Sequence, residues 1–163
     1  MGLTLVPTSE AYFPGLYQAL DAVAREKRYL VFAQAPPMDA ALEFFRHIVA
    51  HGLCQRLAVE EDAVLGWCDV LPKPGDACAH VGVLGMGLIP EARHRGIGAL
   101  LLSAGLEAAR RQGFSRIELQ VRIDNANAIA LYKRFGFQVE GVLRRAYRLD
   151  GHDFDVLAMA LLA

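Results

Sequence analysis

Leu3, Leu5 and Val6 open the chain with a short extended segment, 3–6, which Pro7 closes. Phe13, Leu16, Leu20 and Val23 then recur at steps of three and four, and this spacing predicts one amphipathic helix over about 9–28. A second helix is predicted over about 39–51, with Leu42, Phe45, Ile48 and Val49 on one side; the connector Tyr29–Pro37 ends in Ala35-Pro36-Pro37 and must be a loop there. Three strands follow at 55–59, 64–71 and 80–89, and the turn residues Pro72-Lys73-Pro74-Gly75-Asp76 make the last two a hairpin. Ile97, Leu100, Leu101, Ala104 and Ala108 share one face of a helix over about 96–112, with Gly113 as its stop. Ile117, Leu119 and Val121 alternate with Arg116, Glu118 and Gln120, a strand with one apolar face. Asn125 caps a short helix carrying Ala128, Leu131, Tyr132 and Phe135, and Gly136 ends it. Strands at 137–142 and 154–161 close the chain, bridged by a polar segment containing Asp150-Gly151.

This order is a mixed α/β (α+β) sheet of about seven strands and four helices. The strand-helix-strand unit over 80–122 must place its two strands parallel, by a right-handed crossover. At 163 residues and 54% hydrophobic, residues 1–163 read as a single domain that holds its core without staples. Lys plus Arg is 17 against 18 for Asp plus Glu, so no global field gathers a polyanion, and no nucleic acid is expected as a partner. The apolar stretches are too short to span a bilayer, and Met1 to Val6 lacks a basic, leader-like start. No membrane partner and a cytoplasmic location are therefore expected. Cys54, Cys68 and Cys78 are odd in number and lack ligand spacing, so they read as core thiols, with no metal.

The informative stretch is Gly87 to Gly98, where a strand ends at Pro90, Arg93-His94-Arg95 follow, and Gly96 and Gly98 open a helix. The first turn of a helix has unpartnered N–H groups and about half a positive charge, which suits a pyrophosphate. Taken alone, such a loop is merely solvated, and Tyr132 is a core tyrosine. The strand before the loop, however, carries Gly82, Gly85 and Gly87, a load that points to a bulge or to a closely approaching backbone or ligand.

Together, R-x-x-G-x-G after Leu88-Ile89-Pro90 and Asn125-x-x-Ala128-x-x-Leu131-Tyr132-x-x-x-Gly136-Phe137, about 27 residues downstream, resemble the GCN5-related N-acetyltransferase (GNAT) superfamily. The likeness is strong over 80–142. The ending, from Glu140-Gly141-Val142 to Met159-Ala160-Leu161, is similar to bacterial members near the ribosomal-protein-alanine and phosphinothricin acetyltransferase branches.

The resemblance implies a mostly antiparallel sheet whose central parallel pair splays into a V that takes acetyl-CoA as cosubstrate. It implies that Met86, Gly87 and Leu88 hold the thioester and pantetheine arm through backbone groups. Arg93, His94, Arg95, Gly96, Ile97, Gly98 and Ala99 would form the pyrophosphate loop, with Asn125 a polar contact. Tyr132 would protonate the leaving thiolate. The implied acceptor is a primary amine of a small molecule, amino acid or peptide N-terminus, in a pocket between 27–37 and 148–153. Where some members place a catalytic Glu, this chain has Gln120, which cannot act as a base. The base is then sought in Glu26, the first choice for its place at a helix end, or in Asp69, His80, Glu118 or water. The expected activity is direct acetyl transfer by this N-acetyltransferase. The alternative is a non-catalytic CoA-binding or regulatory module of the same fold. A homodimer is left open.

Overall fold

The computed structural model describes residues 2–163; Met1, part of the N-terminal reading above, lies outside the described residues. The elements run β1 (Thr4–Pro7), α1 (Phe13–Arg25), α2 (Met38–Ala50), β2 (Cys54–Glu60), β3 (Ala63–Pro72), β4 (Val81–Leu88), α3 (Ile97–Arg111), β5 (Arg116–Arg122), α4 (Ala126–Arg134), β6 (Gln138–Leu149) and β7 (His152–Leu162). They build one seven-stranded sheet in the order β1-β2-β3-β4-β5-β7-β6. Of the neighbouring strands, only β4 and β5 run parallel.

The expected helix over 9–28 is shorter in the structure. A 3-10 turn at Glu10–Tyr12 precedes α1, because Pro14 has no N–H to donate and is accommodated only in a first helical turn. Lys27 ends α1 in a left-handed conformation, φ 55°. The polar bridge between the last two strands is itself strand: β6 extends to Leu149 and meets β7 through Asp150-Gly151, with φ 51° and 76°. Two successive positive φ values make this a tight hairpin turn whose twist matches the strands.

The sheet carries an apolar layer on each face. On one, Ile97, Leu101 and Leu102 of α3 pack with Leu119 of β5, Met159 of β7 and Tyr132 of α4. On the other, Phe13 and Leu16 of α1 and Phe45 of α2 pack against Leu57 and Trp67. The alternation of β3 separates these layers, with Trp67 and Asp69 toward α1 and α2, and Cys68 and Val70 toward α3.

Parallel pairing between β4 and β5 covers only Val81↔Arg116, Gly82↔Ile117 and Val83↔Glu118. Beyond Val83 the two strands part, while β4 stays in unbroken register with β3 from Gly82↔Pro72 to Leu88↔Gly66. Along the ladder with β3 there is therefore no bulge in β4, and of the two readings of its glycines close approach is the one observed. Its glycines answer to close neighbours: a Cβ on Gly82 would stand 2.4 Å from Val70 Cγ1, and one on Gly87 2.5 Å from the Trp67 ring.

Candidate active site

The parting of β4 and β5 opens a cleft of about 970 Å³. Its walls are β4 from Val83 to Leu88, the loop into α3, the cleft-facing side of β5, the face of α4 and the connector residues Tyr29, Leu30 and Val31. Met86, Gly87, Leu88, Arg93, His94, Gly96, Gly98, Ala99, Asn125 and Tyr132, all singled out in the sequence, line this one space.

The loop is shaped by two left-handed residues, His94 at φ 60° and Gly96 at φ 79°. Gly96 is the N-cap of α3 and supplies no side-chain cap, so the first amides of that helix face the cleft mouth without a side-chain acceptor. A Cβ on Gly98 would lie 3.5 Å from Leu131 and 3.6 Å from Leu88, so any larger group there fills the gap between α3 and α4. Two loop residues turn elsewhere. Ile97 is buried in the core, and Arg95 donates to Glu60 at 2.7 Å.

Arg93 is clamped. Its guanidinium donates to both oxygens of Glu26, at 2.8 and 2.5 Å, and twice to the Leu88 carbonyl, at 3.2 and 2.8 Å. It also lies 4.6 Å from the centre of the Tyr29 ring. Glu26, at the C-cap of α1, thus ties that helix to the end of β4 through Arg93.

Asn125 caps α4, its Oδ1 accepting from the Ala128 N–H at 3.3 Å, which fixes where the helix begins and hence where Tyr132 points. Tyr132 is 7% exposed and its ring packs 5.7 Å from Phe137. The hydroxyl makes no hydrogen bond to the described residues, yet it is not sealed in. It therefore opens onto the cleft that the residue lines. Burial pushes its pKa well above the ordinary tyrosine value, so the phenol keeps its proton at neutral pH.

The carboxylates considered as bases separate sharply by their partners. Glu118 accepts from Lys73 at 2.5 Å and from Arg116 at 3.1 Å, and the Lys73 ammonium holds its pKa below the usual range. Asp150 accepts from Lys27 at 2.9 Å, and Asp153 from Arg148 at 2.5 Å. His80 is exposed, at the opposite end of β4 from Leu88. Asp69 is different: its Oδ2 accepts from the Gln55 amide at 3.1 Å, and it has no ion pair among the described residues. Burial pushes its pKa up to about 7, opposed only by that neutral amide. Gln120 is exposed on the cleft floor.

Sequence spacing alone could not foresee the Arg93 clamp, nor the tilt of Trp67 over Gly87, because each joins residues distant along the chain. The signal for Asp69 was present but weak: a lone acid in an otherwise apolar strand. Among the described residues, no three His, Cys, Asp or Glu side chains come together as a metal site would require. Among the described residues, no helix is long and apolar enough to cross a membrane.

Comparison with known proteins fits this geometry. A mycothiol acetyltransferase of Rhodococcus opacus is 41% identical over 81 residues, which is 48% of this chain and 27% of that protein. The chain thus spans about a quarter of the length of that curated relative, 27%. A Bacillus subtilis protein provisionally named a ribosomal protein bS18-alanine N-acetyltransferase is 28% identical over 111 residues, 68% of this chain and 71% of the relative. Among solved structures, a GNAT superfamily phosphinothricin acetyltransferase from Sinorhizobium meliloti, in complex with acetyl-CoA, superimposes with a TM-score of 0.91 at 22% identity, over 99% of this chain and 89% of that one. The family model described as the acetyltransferase (GNAT) family matches residues 16–137, from α1 through α4 to the start of the last hairpin. The chain belongs to the acetyltransferase (GNAT) family.

Proposed function

We propose that this chain moves the acetyl group of acetyl-CoA to a primary amine by direct attack. The observation that carries the reading is the placement of an uncapped, glycine-opened helix N-terminus and an unpartnered phenol on one cleft between two parting parallel strands. The pyrophosphate sits on the first amides of α3, with His94 beside it; the Arg93 guanidinium stays on Glu26 and Leu88 and shapes the loop. The pantetheine arm runs along the free edge of β4 from Leu88 to Met86 and takes the place of the missing strand neighbour. Backbone donors there meet the oxygen of the tetrahedral intermediate. Tyr132 gives its proton to the thiolate as it leaves. The two-oxygen clamp on Glu26 supports a task in holding Arg93 rather than in taking a proton.

The acceptor is an amine entering from the α1 side, past Tyr29, Leu30 and Val31. The names of the relatives, which concern mycothiol and a ribosomal protein alanine, leave both small-molecule and peptide amines in view. The test is calorimetry of acetyl-CoA on the parent and on Gly98→Glu, followed by CoA release with a panel of small amines, amino acids and peptides. The parent binds, and the variant, with a carboxylate and extra bulk at the phosphate site, loses binding while keeping its far-ultraviolet spectrum. Equal affinity in the two proteins removes the phosphate assignment.

A further inference from the structure

On its α1-facing side, β4 offers little to an incoming amine: Val83, then Gly85 and Gly87, of which Gly87 is covered by the Trp67 ring. Gly85 lines the cleft. Directly across from it in the antiparallel ladder is Asp69 of β3, and a Cβ on Gly85 would come within 3.2 Å of Asp69 Oδ1. The carboxylate therefore overhangs bare backbone. A side chain at position 85 would crowd that oxygen.

The other carboxyl oxygen is held from behind. Thr8 donates its hydroxyl to Gln55 Oε1 at 2.6 Å, which turns the Gln55 amide so that Nε2 donates to Asp69 Oδ2 at 3.1 Å. Both Thr8 and Gln55 are buried, so the orientation is fixed by packing as well as by hydrogen bonds. One oxygen is anchored by a neutral donor and the other is free, an arrangement suited to receiving a proton. Paired with Lys or Arg, as Glu26, Glu118, Asp150 and Asp153 are, a carboxylate is a poor base.

We infer that Asp69 is the general base, reaching the acceptor amine over Gly85 directly or through one water, with Gln55 and Thr8 as its positioning residues. The inference rests on the transfer reading above. An ammonium gives one proton to Asp69 and becomes the nucleophile. Its nitrogen forms the bond to the acetyl carbon and gives the tetrahedral intermediate, which then collapses by breaking the carbon–sulfur bond, and the departing thiolate takes the Tyr132 proton. The second nitrogen proton restores the phenol through solvent. Asp69 returns its proton to bulk water, so one proton leaves per acetyl transferred. The titratable groups sensed around Asp69 are the Cys54 and Cys68 thiols, both pushed up by burial and neutral at working pH. The groups facing it from β2 and β4 are Gln55 and Gly85. A carboxyl whose pKa is pushed up to about 7 is matched to taking a proton near neutrality.

The test compares the parent with Asp69→Asn, using acetyl-CoA and the fastest amine of the panel, an alanine-initiated hexapeptide being tried first. Asp69→Asn lowers kcat/KM for the amine by roughly 10²–10⁴ and removes the acidic limb of its pH profile, while the Kd for acetyl-CoA stays within twofold. In the free parent, the carboxyl carbon signal that the variant lacks titrates near 7. A midpoint near 4, or a variant within twofold of the parent across pH 6–9, overturns the Asp69 assignment alone. A parent that binds acetyl-CoA but acetylates no amine overturns the transfer reading instead.

Discussion

The same aspartate makes a claim about stability that needs no substrate. In the folded chain burial pushes the Asp69 pKa from 3.8 to about 7, so the folded state holds a proton that the unfolded state has released throughout that interval. A group raised in this direction stabilises the fold fully below 3.8 and loses that contribution as pH rises through about 7. Asn cannot titrate, and its side-chain oxygen can still accept from Gln55, so Asp69→Asn removes the loss while keeping the hydrogen bond. Each pH unit of the interval is worth about 1.36 kcal/mol, and about two units fall between pH 5 and 7, giving a ceiling of ~2.7 kcal/mol. Asp69 is only half-buried, so solvent screening brings the expected figure to ~1–2 kcal/mol. Urea unfolding of both proteins at pH 5, 6, 7 and 8 measures it. Every other carboxylate titrates in both chains and cancels in the difference. The stability of the variant minus that of the parent should grow toward pH 8. A difference that stays flat, or shrinks as pH rises, refutes an elevated Asp69 pKa and with it the reasoning from burial.

Tyr132→Phe should lower kcat by roughly 10²–10⁴ at saturating substrates with acetyl-CoA affinity nearly unchanged; an unaltered chemical step returns Tyr132 to a purely structural place in the core. Glu26→Gln should weaken the Arg93 clamp, costing ~1–2 kcal/mol in urea unfolding because both partners are mostly buried, and should leave the shape of the pH–rate profile intact. Loss of the acidic limb in that variant would move the proton-accepting role from Asp69 to Glu26.

Much of the fold was legible because its signals are local. Period-two alternation marked β5, three- and four-residue steps marked α3, and glycines closed α3 and α4 where φ turns positive at Gly113 and Gly136. What failed was where local pattern and tertiary setting disagree. The second half of β6 has Arg144, Arg145 and Arg148 and is largely exposed, so it lacks the apolar face by which strands are recognised; it is strand because it is zipped to β7 through the Asp150-Gly151 turn. The glycines of β4 were legible as a demand for space, but not as a demand made by Val70, Trp67 and Asp69 from the next strand. In the site, the glycine-opened loop into α3 and Tyr132 lie within short motifs. The partners that decide which carboxylate is free are Lys27 for Asp150, Arg93 for Glu26 and Lys73 for Glu118. Each lies tens of residues from its acid along the chain, beyond the reach of any spacing rule.

The two apolar layers also constrain the direction of the chemistry. Tyr132 belongs to the α3 layer, and Asp69 extends from β3 on the α1 side. On the proposed reading, a proton donor on one face of the parted strands and a proton acceptor on the other would bring the amine in from the α1 side and protonate the thiolate from the α3 side. Addition to a thioester requires the amine to approach across the face of the carbonyl plane, and the thiolate leaves when the tetrahedral intermediate collapses. On that reading, the bare backbone at Gly85 leaves Asp69 room to approach the amine. Gly82 and Gly87 meet Val70 and Trp67 and answer to packing, whereas Gly85 meets only the carboxylate, at 3.2 Å. Of the three glycines in β4, it is the one whose missing side chain leaves space beside a carboxylate rather than beside a packed apolar group.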